Sequence, residues 1–366
     1  MKVRILVFGI TENPGGIESV IMNYYREIDR TLLQFDFLCN TEEVAYEEEI
    51  KKMGGIIYKI TSRSKNPTQY YKELNQFFKE NSNKYNTIWV NVCSLANIDY
   101  LKYAKKYGIK YRIIHCHNSQ NMDSKARKIL HILNRNRLEK YATDYWTCSN
   151  NASKWFYNKK ILKKHTVVYI KNAIDFQKFK FDANIRNKYR KDFNVEGKLV
   201  LGNIGRFHFQ KNQLFALDIF KNIHEKEKNS VLLLIGDGED RNKIEEKINQ
   251  LELNESVKLL GVRNDVEKIM QAMDILLFPS LFEGLPLVLI EAQANGLKIF
   301  ASDSISKEVQ IGKNIVFMSL NDKPEKWASN ILVSDVKRID NYDLIKLKGY
   351  DVKTEKEKVQ KLLMRI

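Results

Sequence analysis

The sequence predicts an α/β protein of two doubly wound domains, each a parallel sheet covered by helices on both faces, and three observations carry that expectation. Short apolar runs alternate with helical patterns through the first half of the chain. The alternation restarts after a polar, charged stretch from Asp175 to Lys198. At 366 residues and 43% hydrophobic content, the chain can bury two cores.

In chain order, strand-like runs at 3–9, 35–39, 56–60, 87–92, 111–116 and 145–149 alternate with helical patterns at 17–30, 42–53, 68–81, 95–107 and 124–141. The first run, Met1-Lys-Val-Arg-Ile-Leu-Val-Phe-Gly9, ends at Thr11-Glu-Asn-Pro14. That is too early for the apolar core of a signal peptide, so a first buried strand is expected. The second half gives strands at 199–204, 231–235, 257–260, 275–279 and 298–301, with helices at 212–226, 241–251, 265–273 and 287–295. Here Asp274-Ile-Leu-Leu-Phe-Pro279 is a short buried strand ended by Pro and Ser, and Ala294-Asn-Gly296 is a helix stop. The expected domains are therefore 1–172 and 173–350, joined near Asn172–Lys180, with a charged amphipathic helix at 351–366 that crosses back to the first domain.

No apolar run approaches the roughly 20 residues that span a bilayer. Cys39, Cys93, Cys116 and Cys148 have neither metal-type nor redox-type spacing, which points to reduced thiols and a cytoplasmic setting. The net charge of +16 is concentrated: Tyr100 to Lys171 holds 17 Lys and Arg against three acids, Asp123, Glu139 and Asp144. Within it, 125–137 reads as a basic helix with Ala126, Ile129, Ile132 and Leu133 on one face. A second stretch, 154–164, interleaves Trp155, Phe156 and Tyr157 with lysines. Apolar groups among cations suit an anionic membrane surface, and the same charge could serve nucleic acid or a solvated face.

Two carboxylates stand out, Glu283 and Glu291, in Ser280-Leu-Phe-Glu-Gly-Leu-Pro-Leu-Val-Leu-Ile-Glu291. The first lies where a parallel strand delivers its carboxyl end, the second two turns into the next helix, and open α/β sheets bind ligands there. On a single helix they would stand roughly 12 Å apart along the axis, too far to share one atom. Each domain also has a turn suited to an anion. Gly15 and Gly16 let backbone N–H groups approach an anion at a helix N-terminus, although the Gly-x-Gly-x-x-Gly spacing of dinucleotide folds is missing. Gly205-Arg206-x4-Lys211 follows a strand and offers a planar fork and a point charge to a diphosphate. His115 and His117 alternate on a strand, so one is expected to face the sheet's other side as packed core. Cys116, Trp89 and Trp146 are expected to be buried.

These residues carry a resemblance. Gly205-Arg206-x4-Lys211, Gly236-Asp-Gly238, Leu260-Gly-Val-Arg-Asn-Asp-Val266 and Glu283-x7-Glu291, with Gly15-Gly16, His115-Cys-His117-Asn118 and Asn172-Ala-Ile-Asp175, resemble the retaining nucleotide-sugar glycosyltransferases of family four. The likeness is strongest to the bacterial capsule and exopolysaccharide members. The chain departs from the family pattern at Ala173 and Lys298 and across 302–308.

The resemblance implies the GT-B architecture, two Rossmann-like domains facing each other across a cleft. The first would bind the acceptor, with a basic, membrane-facing surface, and the second the nucleotide sugar. Arg206 and Lys211 would hold the donor diphosphate. Glu283 would contact hydroxyls of the donor sugar beside Gly284, Leu285, Pro286 and Leu287. Glu291 would bond the ribose, while Gly205, and Val262 near the base, complete the donor site. Gly15 and Gly16 would close over the diphosphate and acceptor side. His117 would lie beside the sugar, with His115 as the alternative. The implied donor is a UDP-sugar, hexosyl or N-acetylhexosaminyl, and the implied acceptor a polyprenyl-linked or growing glycan at the cytoplasmic membrane face. Front-side attack, with a donor phosphate oxygen taking the acceptor proton, would retain the configuration without cofactor or metal. A nucleic-acid-binding protein and a sugar-nucleotide epimerase of the same fold are the alternatives, and neither explains the cations and the glutamate pair together.

Overall fold

The computed structural model describes residues 2–120 and 125–365. Asp123 and Ser124, which belong to the basic segment and its expected helix, lie outside the described residues. The chain divides into two compact units, Met1–Ala173 with Val352–Ile366, and Ile174–Asp351.

Among the described residues, the first unit runs β1 (Val3–Phe8), α1 (Gly16–Glu27), β2 (Leu33–Cys39), α2 (Glu47–Lys52), β3 (Ile57–Lys59), α3 (Pro67–Asn81), β4 (Thr87–Val92), α4 (Asp99–Lys106), β5 (Tyr111–Cys116), α5 (Lys125–Arg137), β6 (Asp144–Thr147), α6 (Asn150–Phe156), α7 (Lys159–Lys164) and β7 (Val167–Tyr169). Every strand pair is parallel, in the order β3-β2-β1-β4-β5-β6-β7, so the winding reverses between β1 and β4. Parallel strands are buried on both sides, which is why Trp89 and Trp146 are both fully packed, their rings meeting edge to face at 5.7 Å. The last helix of the chain, α16 (Val352–Met364), belongs to this unit. Arg365 forks onto Asp144 at 2.7 and 2.9 Å, and Gln360 accepts the Asp29 N–H at 2.9 Å.

The second unit runs α8 (Phe176–Phe179), α9 (Ala183–Asp192), β8 (Leu199–Ile204), α10 (Gln213–Lys226), β9 (Ser230–Ile235), α11 (Arg241–Gln250), β10 (Val257–Leu259), α12 (Val266–Ala272), β11 (Ile275–Phe278), α13 (Leu287–Ala294), β12 (Lys298–Ser302), β13 (Ile315–Met318), α14 (Pro324–Leu332) and α15 (Tyr342–Leu347). Its parallel order, β10-β9-β8-β11-β12-β13, reverses between β8 and β11. Leu201, Leu232, Leu234, Ile275 and Leu277 meet Leu217, Phe220 and Trp327 in one core.

The sequence reading missed the strands β7 and β13, edge strands of three and four residues whose short apolar runs, Val167-Val-Tyr169 and Ile315-Val-Phe-Met318, it passed over. It also took 175–198 for a polar connection. The segment holds α9, which Arg186 and Arg190 fasten to Asp274 and to the carbonyls of Met273 and Ala272; no apolar stripe announces it. The aromatics of 154–164 are corrected as well. Phe156 and Tyr157 are fully buried, Tyr157 donating to the Trp146 carbonyl at 2.6 Å, so they are core and not membrane anchors.

Candidate functional site

In the second unit the carboxyl ends of β8, β9 and β11 converge at the winding reversal, where an open sheet leaves a crevice. The chain leaves β8 through Gly205 and Arg206 and enters a short 3-10 turn, Phe209–Lys211, capped by His208, whose Nδ1 accepts the Gln210 N–H. Two glycines of the β9 loop make the approach possible. A Cβ on Gly236 would stand 2.1 Å from the Gly205 carbonyl oxygen, and one on Gly238 would stand 2.4 Å from that of Phe207.

Lys211 reaches the loop after β11. Its Nζ lies 2.7 Å from Glu283 Oε1, and both side chains are mostly buried, with the ammonium 5.1 Å from the centre of the Phe278 ring. That loop is pinned on its other side. Gln210 donates to the Phe282 carbonyl at 2.8 Å and accepts the Leu281 N–H at 2.8 Å, while Asn212 donates to Pro279 at 3.1 Å. Gly284, Leu285, Pro286 and Leu287 are buried as the chain turns into α13, with Pro286 at the helix N-cap and without an N–H of its own.

Arg206 points elsewhere. It is exposed and pairs with Glu239 at 3.0 Å, and His208 Nε2 lies 3.3 Å from the same carboxylate. Glu291 sits on the second turn of α13, where desolvation, then the charge of Glu267, pushes its carboxyl up to about 8. Val262 is exposed beside Gly261, whose carbonyl accepts the Gly236 N–H at 2.9 Å and so ties that loop to the β9 end.

In the first unit, Gly15 and Gly16 are exposed at the start of α1. The acid already at this turn is Glu18, third in the helix after the Gly15 cap, the spacing of a capping box. Its Oε1 accepts from Thr11 Oγ1 at 2.6 Å, and burial raises its pKa against hydrogen bonds that lower it.

His115 and His117 lie on one side of the sheet, which corrects the expectation that they face opposite ways. Residues two apart on a strand share a face, and their ring centres are 4.0 Å apart. They differ in depth instead. His115 is fully buried between Trp89 and Trp146, whereas His117, just past β5, is partly exposed. Both meet Asn91 Oδ1, from His115 Nδ1 at 3.1 Å and His117 Nε2 at 3.0 Å. The Asn91 amide nitrogen is turned to the Phe8 carbonyl at 3.3 Å, so the imidazole nitrogens facing its oxygen carry the hydrogens. That leaves His117 Nδ1 as an acceptor. Burial lowers the pKa of His117 to about 3, so it stays neutral.

The profile of the family described as glycosyl transferases group 1 matches residues 198–333, the stretch that carries the cations and both glutamates. A Bacillus subtilis protein named EpsF and described as a glycosyltransferase is 31% identical over 326 residues, covering 87% of this chain and 84% of that one. The chain belongs to this glycosyltransferase family. A second relative, the capsular polysaccharide biosynthesis glycosyltransferase CapH of Staphylococcus aureus, is 26% identical over 343 residues, 89% of the transferase and 90% of CapH. An Escherichia coli UDP-Gal:alpha-D-GlcNAc-diphosphoundecaprenol alpha-1,3-galactosyltransferase is 34% identical over 138 residues, 37% of this chain and 36% of its own. Among solved structures, Anabaena HepE in complex with UDP and glucose superposes with a TM-score of 0.80 over 100% of both chains at 18% identity. At that identity the likeness speaks for the fold, which is GT-B. These matches support neither the nucleic-acid-binding nor the epimerase alternative.

Sequence reasoning missed four side chains of the transferase that the fold brings to these strand ends: Glu18, Asn91, His208 and Glu239. Two had a readable signal. Glu18 stands at capping-box spacing, and Asn91 is a polar residue inside the apolar run 87–92.

Proposed function

We propose that the transferase moves a sugar, with retention of configuration, from a UDP-sugar to a lipid-linked or growing glycan in capsule or exopolysaccharide synthesis, at the cytoplasmic face of a membrane. The observation that carries this is the Lys211–Glu283 pair at the carboxyl end of the reversed sheet. A cation and an anion that neutralise each other here can be drawn apart by one ligand that offers phosphate to the first and hydroxyls to the second.

In the step proposed, the bond from the anomeric carbon to the β-phosphate oxygen breaks, and the acceptor oxygen bonds to that carbon from the same face. The acceptor proton passes to a phosphate oxygen, and UDP leaves. Lys211 and Arg206 stabilise the charge that builds on the diphosphate. Glu283 accepts hydrogen bonds from sugar hydroxyls; in the other unit, His117 presents Nδ1 as an acceptor. Glu291 meets the ribose. No protein nucleophile and no cofactor enter. The activity named for the Escherichia coli relative and the UDP bound by HepE support the donor and acceptor classes.

A thermal-shift panel of nucleotides and nucleotide sugars tests the donor. UDP and one UDP-sugar are expected to raise Tm, a ligand at 100 times its Kd adding about 2.7 kcal/mol. Stabilisation by guanosine or adenosine diphosphates alone would overturn the assignment. Lys211→Ala and Glu283→Ala are each expected to lower transfer at least about 100-fold in a folded protein. Full activity in both would remove the site.

A further inference from the structure

The two cations of the β8 turn are not held alike. Lys211 lies across Gly205, where an added Cβ would stand 3.0 Å from its Cε, whereas Arg206 runs along Gly238, where a Cβ would stand 3.0 Å from its Cγ. Lys211 is 20% exposed against Glu283, but the Arg206 side chain is 65% exposed against Glu239. Arg206 is therefore the cation that can move.

Glu239 is the fixed member of its pair. The β9 loop is clamped to the β8 turn by the Phe207 N–H on the Asp237 carbonyl at 2.9 Å and the Asp240 N–H on the Phe207 carbonyl at 3.0 Å, which bracket Glu239. The other two acids of the loop are satisfied close by in sequence, Asp237 by Arg241 at 3.1 Å and Asp240 by Lys243 at 2.6 Å. Glu239 instead reaches across to the turn. Its Oε2 takes Arg206 Nε at 3.1 Å and Nη2 at 3.0 Å, and its Oε1 faces His208 Nε2 at 3.3 Å. Because His208 Nδ1 accepts the Gln210 N–H, the neutral ring carries its hydrogen on Nε2, towards that oxygen. His208 is nearly buried, so it anchors the carboxylate while Arg206 swings.

We infer that Glu239 is a positioning residue, a resident anion that parks the Arg206 guanidinium until a diphosphate takes its place, and so sets the affinity for the donor. This rests on the proposed diphosphate contact of Arg206 and adds to it the group that competes for that contact.

Calorimetric titration of the full chain with UDP, pyrophosphate and uridine tests the inference in four proteins: wild type, Glu239→Gln, Arg206→Gln and the double variant. Glu239→Gln keeps the shape and removes the charge. It is expected to tighten UDP and pyrophosphate by about two- to fivefold, the range an exposed ion pair covers, and to leave uridine unchanged. In the Arg206→Gln background the same change is expected to alter neither anion by more than about 1.5-fold. In transfer assays Glu239→Gln is expected to lower KM for the UDP-sugar by the factor seen in binding, with kcat unchanged, since the pair is broken before the chemical step. Unchanged or weaker anion binding by Glu239→Gln overturns the inference. So does an equal gain for uridine, or a gain that persists without Arg206. If Arg206→Gln weakens UDP while Glu239→Gln does not tighten it, only the role of Glu239 fails. If Arg206→Gln leaves both anions bound as in the wild type, the diphosphate contact of Arg206 fails and takes the inference with it. Pyrophosphate lacks the nucleoside, so a wrong base assignment leaves this cycle intact.

Discussion

The two turns that follow the first strand of each sheet start from the same sequence device, a strand running into glycine and then a helix, yet they end with opposite chemistry. After β1, the chain passes exposed Gly15 and Gly16 and turns the carboxyl of Glu18 back onto the start of α1. After β8, it passes Gly205 and delivers Arg206 and Lys211, each set against a carboxylate from another loop, Glu239 and Glu283. The difference teaches that glycine near a helix N-terminus only grants access to the backbone. The sign of the charged groups brought there decides whether an anion is invited. The β1 turn holds an acid of its own, whereas the β8 turn brings two cations, which is why the proposed diphosphate contacts are set at the β8 turn.

The sharpest way to break that contrast is to compare the two turns in one assay. Lys211→Ala is expected to abolish the UDP-induced thermal shift, whereas Glu18→Ala leaves UDP affinity within about twofold and instead costs about 1 kcal/mol of stability, the usual loss of a helix cap. If Glu18→Ala removes UDP binding and Lys211→Ala does not, the assignment of the two turns is reversed.

Smaller effects sharpen the contrast through pH. Burial pushes Glu291 up to about 8, so the folded protein keeps this proton while the unfolded chain releases it near 4.5. Its contribution to stability is thus fully present below about 4.5 and is lost as pH rises towards 8. Glu291→Gln is expected to gain on the wild type across that window, by up to about 1.4 kcal/mol per pH unit, and to stay level above it. Denaturant melts at pH 5, 6.5 and 8 check this, and a parallel pair of curves would show that Glu291 is ionised in the fold.

The histidine side carries the opposite sign. With His117 lowered to about 3, its contribution is present above its unfolded value of 6.5 and is lost only as pH falls towards 3. His117→Gln is therefore expected to change the transfer rate by the same factor at every pH from 6 to 8. A factor that varies with a midpoint near 6.5 would mean that the imidazole titrates during turnover.

Much of the fold was legible before any coordinates. The alternation of apolar runs with helical patterns placed the central strands β1, β2, β4, β5, β8, β9, β11 and β12 within a few residues, because strands buried on both faces must be continuously apolar. The arginine-fastened α9 escaped because it is held by partners distant in the chain and not by its own pattern, and the edge strands β7 and β13, though apolar, escaped because they are only three and four residues long. In the site, the motif residues Arg206, Lys211, Glu283 and Glu291 were legible one by one. Their pairing was not: Arg206 and Lys211 read as neighbours on one diphosphate, while the structure gives each a different carboxylate.

The sequence by itself determined the two parallel sheets, the family and the residue types at the strand ends, because those follow from local periodicity and short motifs. Only the tertiary structure decided which of two adjacent histidines stays accessible, which carboxyl's pKa burial raises, and that α5 turns its apolar stripe to solvent. Each of those depends on what is packed alongside: a buried group's charge and a helix's outward face are set by neighbours from other strands and helices, and no window of sequence contains them.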